Sequence, residues 1–135
     1  MRKELQEKLY ESYPILYSER NMDMRNSLMC FGFCCGSGWY DILDRLSKKI
    51  EGYNHTAKKP KQIRAVQVKE KLGTLRFYCG PTTDEVDGWI RDAEQETART
   101  CEVCGKPGEL VKGGWLFTLC DEHDKDRSWC NVMNW

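Results

Sequence analysis

The stretch that most constrains this chain is "CEVCGKPGELVKGGWLFTLCDEH", running from Cys101 to His123. It holds a CxxC pair at Cys101 and Cys104 and a CxxH pair at Cys120 and His123, with fifteen residues between the pairs. Two thiolates two residues apart reach one ion when a tight turn links them, and Gly105, directly after Cys104, permits that turn. "ELVKGGWLFTL" reads as a hairpin bent at Gly113-Gly114. Cys120 and His123 then fall at i, i+3 on the first turn of a helix, facing the same side. Asp121 and Glu122 suit the positive end of that helix. Three thiolates and one imidazole fill four tetrahedral positions. The expectation is one structural Zn²⁺, with no coordination position left for a substrate.

A knuckle, a hairpin and a helix that supplies the second ligand pair resemble a treble-clef zinc finger over residues 100 to about 128. Other uses of these residues fit less well. A redox CxxC would leave Cys120 and His123 without a purpose. A zinc deaminase needs His-x-Glu and a proline before CxxC, but His55 is followed by Thr-Ala and Cys101 is preceded by Thr100. Treble-clef nucleases need histidines beyond the structural ligands, and His55 is the one remaining, far upstream. No catalytic constellation is expected.

The chain has 135 residues, about the size of one domain. Lys plus Arg equals Asp plus Glu at 21 each, which argues against a protein that coats nucleic acid. The charge is uneven: residues 58–76 carry seven basic groups and one acidic, and residues 82–100 carry two basic and six acidic. No apolar run approaches a membrane span. The start, "MRKELQEKLYESYP", lacks the apolar core of a signal peptide, so the expected compartment is the cytoplasm, where thiols stay reduced. Eight cysteines in that setting point to metal before disulfides.

Periodicity predicts helices over about residues 2–12, 38–51 and 83–98. In the second, Trp39, Ile42, Leu43, Leu46 and Ile50 share a face, and Gly52 sits where a terminating glycine belongs. In the third, Val86, Trp89, Ile90, Ala93 and Thr97 share a side. Residues 18–36 show no clean period and read as loop with short extended structure. "NHTAKKPKQ" reads as a polar linker. Over about 63–79 the period changes to two, which predicts an antiparallel hairpin with Val66, Val68, Leu75 and Phe77 inward. The expected fold is α+β: helices on a small antiparallel sheet over residues 1–99, then a zinc module over 100–135 packed against it as one unit.

That hairpin would turn Gln67, Lys69, Arg76 and Tyr78 outward, with Lys71 near its turn. Basic side chains around an aromatic can follow a phosphate backbone and stack a base. They equally describe a solvated sheet face. Trp115, at the bend of the finger hairpin, joins Lys69, Lys71, Arg76 and Tyr78 as a candidate nucleic-acid or partner surface. Trp39 and Trp89 read as core, and Trp129 and Trp135 lie in an apolar tail that either packs back or meets a partner. Cys79 reads as a small core residue. Cys30, Cys34 and Cys35 lack an obvious fourth ligand for a second metal site. "GSGW" at the start of a helix can bind an anion, but it lacks a P-loop's lysine.

The combination of "CGSGWYDILDRL", "VQVKEKLGTLRFY" and "CEVCGKPGEL…GGW…TLCDEH" is similar to a family of small proteins of tailed bacteriophages and prophages, over about residues 30–123. The resemblance implies action in the cytoplasm of an infected bacterium and brings no enzymatic mechanism with it. The expected function is an interaction module that binds a bacterial host or defence protein. The alternative is a nucleic-acid-binding protein using the basic hairpin over 58–78 and the finger.

Overall fold

Apolar residues three and four apart bury one stripe of each long helix. The computed structural model describes residues 1–131 and Trp135; the tail residues 132–134 lie outside the described residues. Helix α1 spans Lys3–Ser12, α2 Tyr40–Thr56 and α3 Asp84–Thr97. In α2, Ile42, Leu43, Leu46 and Ile50 are buried, and in α3 Val86, Ile90, Ala93 and Thr97 are. Trp39 is fully buried, while Trp89 packs against the core only partly buried. Thr83 caps α3 by accepting from the Val86 N–H. Among the described residues no helix is long and apolar enough to cross a membrane.

Helix α2 does not stop at Gly52. Two buried polar side chains, one on each side of Gly52, hold other parts of the chain as the helix runs on to Thr56. The Glu51 carboxylate accepts from the N–H groups of Ile15 and Leu16 at 3.0 and 2.9 Å. The Asn54 amide donates to the Ile63 carbonyl at 2.9 Å and accepts from the Ile63 N–H at 2.7 Å. The first part of the expected polar linker is therefore helix, and its end is pinned to it.

The first sheet is mixed, with three strands in the order β1-β2-β3: Phe33–Cys34, Ala65–Lys71 and Thr74–Cys79. β2 and β3 form the expected antiparallel hairpin, and β1 adds a short parallel strand that the sequence pattern did not announce. A 3-10 turn over Leu28–Phe31, capped by Ser27, and Gly32 at φ 70° deliver Phe33 to its place beside Val68. The alternation of β2 is broken by a bulge between Ala65 and Gln67. A bulge sets two residues against one and slips the pattern by one position. Ala65 therefore takes the inner place expected for Val66, and Val66 is only half-buried. Val68, Leu75 and Phe77 face the core as expected. Leu72 and Gly73 both have positive φ, 55° and 86°, as a two-residue type I′ turn requires.

Helices α1, α2 and α3 cover the inner face, where Tyr17, Phe33, Trp39, Leu43, Val68 and Leu75 meet. Residues after α3 form the second sheet, β4 (Glu109–Val111) paired with β5 (Phe117–Leu119), and then helix α4 (Asp121–Lys125). The fold is α+β, as the sequence pattern implies. Replacing Asn54 by Ala would strand a buried N–H and C=O of Ile63, each unmade bond costing about 1–3 kcal/mol. Urea unfolding of Asn54→Ala at fixed metal content is expected to show a loss of about 2 kcal/mol or more; a loss below about 0.5 kcal/mol contradicts this role for the side chain.

Candidate metal centre

The chain leaves α3 at Thr97, and Thr100 makes an isolated antiparallel bridge with Pro107. Between them the backbone turns on itself: the Gly105 N–H donates to the Cys101 carbonyl at 2.9 Å, and the Cys101 N–H donates to the Lys106 carbonyl at 2.7 Å. Gly105 makes this possible with φ 81°. The β4–β5 hairpin then reverses through Gly113 and Gly114, at φ 136° and 96°. Cys120 is the N-cap of α4, and the Asp124 N–H donates back to its carbonyl at 3.0 Å.

These elements bring Cys101, Cys104, Cys120 and His123 together, with ligand atoms all within 4.8 Å of one another. Cys104 Sγ lies 3.8 Å from Cys120 Sγ. His123 Nδ1 lies 3.3 Å from Cys120 Sγ and 3.7 Å from Cys101 Sγ. The four side chains can hold one metal ion. Burial opposes ionisation of the Cys120 thiol, but hydrogen bonds from His123, Cys101 and Cys104 outweigh it and bring it down to about 7. Burial and the neighbouring thiols push Cys104 up to about 11. A metal ion would bind all three sulfurs as thiolates and remove this imbalance between Cys104 and Cys120. Among the described residues this is the only group of three or more such side chains that can hold an ion, so Cys30, Cys34 and Cys35 form no second site there. His55 is exposed near the end of α2.

The centre is anchored to the rest of the fold by Glu102, the first of the two residues between its first two cysteines. Glu102 is 1% exposed. Its carbonyl accepts from the Gly38 N–H at 2.8 Å, and its Oε2 accepts from the Gly36 N–H at 2.9 Å. Oε1 has no hydrogen-bond partner among the described residues, and burial pushes the carboxyl up to about 8. The "GSGW" segment thus meets an anion-forming group at the start of its helix, but that group belongs to the chain itself. The Trp39 indole N–H donates to the Thr100 carbonyl at 2.9 Å, and the Thr118 hydroxyl donates to the Gly73 carbonyl at 2.6 Å. Sequence reasoning missed Glu102, because a lone carboxylate inside CxxC carries no pattern of its own. The two glycines of "GSG" were the available signal for a close backbone approach.

The second, smaller core joins Leu119 and Trp129 to Phe117 and Trp135. The Trp129 indole donates to the His123 carbonyl at 2.9 Å. Trp129 stacks edge-on to Phe117 at 5.0 Å and lies 4.7 Å from Trp135. The described tail packs back onto the metal centre. Lys69 and Arg76 are paired across the β2–β3 ladder, as are Gln67 and Tyr78, so the outward row expected from the sequence exists, with Lys71 opposite Thr74. Trp115 does not join it. It is 70% exposed and lines a different cleft, with Phe31, Glu70 and Glu102.

No family model matches the chain, and neither the curated proteins nor the solved structures yield a match.

Two outcomes follow from the geometry. Cys120→Ser is expected to lose its equivalent of bound metal and to expose Trp129, read as a red shift of tryptophan emission; metal retained at one equivalent contradicts the ligand assignment. A Cβ at Gly38 would lie 2.2 Å from the Cys101 carbonyl oxygen. Neither backbone can yield locally, so Gly38→Ala is expected to cost about 1–3 kcal/mol in denaturant unfolding, and an unchanged midpoint contradicts the close approach.

Proposed function

We propose that the ion is Zn²⁺ and that this chain is a zinc-stapled macromolecular interaction module. Zinc bound tetrahedrally at about 2.3 Å from sulfur and about 2.0–2.1 Å from nitrogen would set sulfurs about 3.8 Å apart and sulfur to nitrogen about 3.6 Å. The sulfur pair at 3.8 Å and the sulfur–nitrogen distances of 3.3 and 3.7 Å support that ion. The order of knuckle, β4–β5 hairpin and α4 supports the treble-clef reading. With three cysteines and a histidine as ligands the shell is closed, so the metal's role is to hold the fold.

The module belongs, on this reading, to the tailed-bacteriophage and prophage proteins that its sequence resembles. It works in the host cytoplasm by binding a bacterial host or defence protein. The observation that carries this reading is the amount of apolar surface left outside both cores: Met24, Phe31, Leu72 and Trp115 are each more than half exposed. Isolated apolar side chains are ordinary on a surface, but Phe31 and Trp115 line one cleft together, and neighbouring exposed aromatics suit a protein partner. The nucleic-acid reading keeps one specific support, the shared outward row of Lys69, Arg76 and Tyr78.

The test is capture from bacterial lysate on the tagged, zinc-loaded protein, with and without nuclease. One bacterial protein retained at stoichiometric level after nuclease is the expected result. Retention that disappears with nuclease overturns the protein-binding reading in favour of nucleic acid.

A further inference from the structure

The inner face of the β1–β2–β3 sheet is filled by helices, while its outer face carries a groove of about 730 Å³ where Met24, Leu28, Val66 and Tyr78 meet Arg25, Lys69 and Lys71. The bulge in β2 builds its apolar floor. By slipping the alternation, it sets Val66 beside Gln67 opposite Tyr78, next to the loop that carries Met24 and Leu28. Met24, Leu28 and Tyr78 are 57%, 40% and 42% exposed. Every charged side chain lining the groove is a cation. Arg25 has one internal partner, Asp23, at 3.2 Å, but both are exposed, so that pair costs little to share.

Strand addition is closed to a partner at both edges of the sheet. On β3, the Leu75 N–H donates to the Thr97 hydroxyl and the Phe77 N–H to the Glu94 carboxylate. On β1, the Phe33 N–H donates to the Gln6 side-chain oxygen. An occupant must therefore bind through side chains on the face. A long nucleic-acid strand fits poorly. Three of the four apolar groups are aliphatic and offer no stacking plane, and a phosphate backbone continuing past β3 would meet the Glu94 carboxylate at that edge.

Resting on the protein-binding reading above, the geometry points to one occupant: a short acidic peptide segment of a partner protein. Its apolar side chain would enter between Met24, Leu28, Val66 and Tyr78, and its carboxylates would meet Lys69, Lys71 and Arg25. The surface selects charge by complementarity and anchors by burial.

The experiment is a selection from a random-peptide display library on the zinc-loaded full chain, followed by anisotropy of the labelled winning peptide, with a mixed-sequence single-stranded DNA measured in parallel. The expected winners carry two or more carboxylates around an aliphatic or aromatic residue. Their affinity is expected to fall about tenfold or more for Lys69→Glu/Lys71→Glu and several-fold for Met24→Asp, with zinc content and melting temperature unchanged. Met24 is exposed and in neither core, so its variant reads the groove even if the lysine pair disturbs β2. Winners that bind these variants as tightly as wild type overturn the groove and leave the interaction reading standing. No enriched peptide, together with DNA binding that needs Lys69 and Lys71, overturns both. No enrichment and no DNA binding overturns the acidic-peptide assignment.

Discussion

The arrangement depends on Glu102, one of the two residues between the first two cysteines of the candidate metal centre. Turning both thiols toward one point forces the intervening residues to the other side of the knuckle. There Glu102 uses main chain and side chain together, holding the N–H groups of Gly38 and Gly36 at the start of α2. The metal centre is thus continuous with the first core, because the turn that gathers its ligands also presents the group that anchors α2. Gly38 and Gly105 lie back to back at this point, and side chains on either would push the two units apart.

Much of this was legible in the sequence. The four ligand side chains, the glycine after Cys104, the hairpin bent at Gly113-Gly114 and the faces of α2 and α3 follow from spacing and periodicity, because each is a local property. The departures are tertiary. Gly52 is a weak stop signal, and the hydrogen bonds of Glu51 and Asn54 to distant backbone override it. The bulge that displaces Val66 cannot be read from alternation, since Val66 and Val68 continue the pattern without interruption. β1 is two residues long and exists through its pairing with Val68 and Lys69, so it leaves no signature of its own. Trp115 does not share a surface with the basic row, because its place depends on how the finger hairpin runs. The path of the β4–β5 hairpin carries it to another cleft.

The sheet shows how a small α+β protein manages an open face. Backbone donors at its edges are used by side chains from α1 and α3, and the outer face is left to long cations and a few apolar groups. Edges closed in this way resist pairing with other strands. Whatever meets the face must do so by shape and charge.

The span of these contacts also orders the folding of the chain. Gly36 and Gly38 take their partners from Glu102, while Phe33 takes its place beside Val68. A chain emerging from the ribosome can form α2 early, but the helix lacks its native start until the CxxC segment has been made. Contacts this distant in sequence slow folding, because loops must close before they are rewarded. An ion held at this centre would need Cys120 and His123 as well, so it could enter only after both have been made. The supply of metal at that moment would then bear on how long the unfinished protein exposes its core.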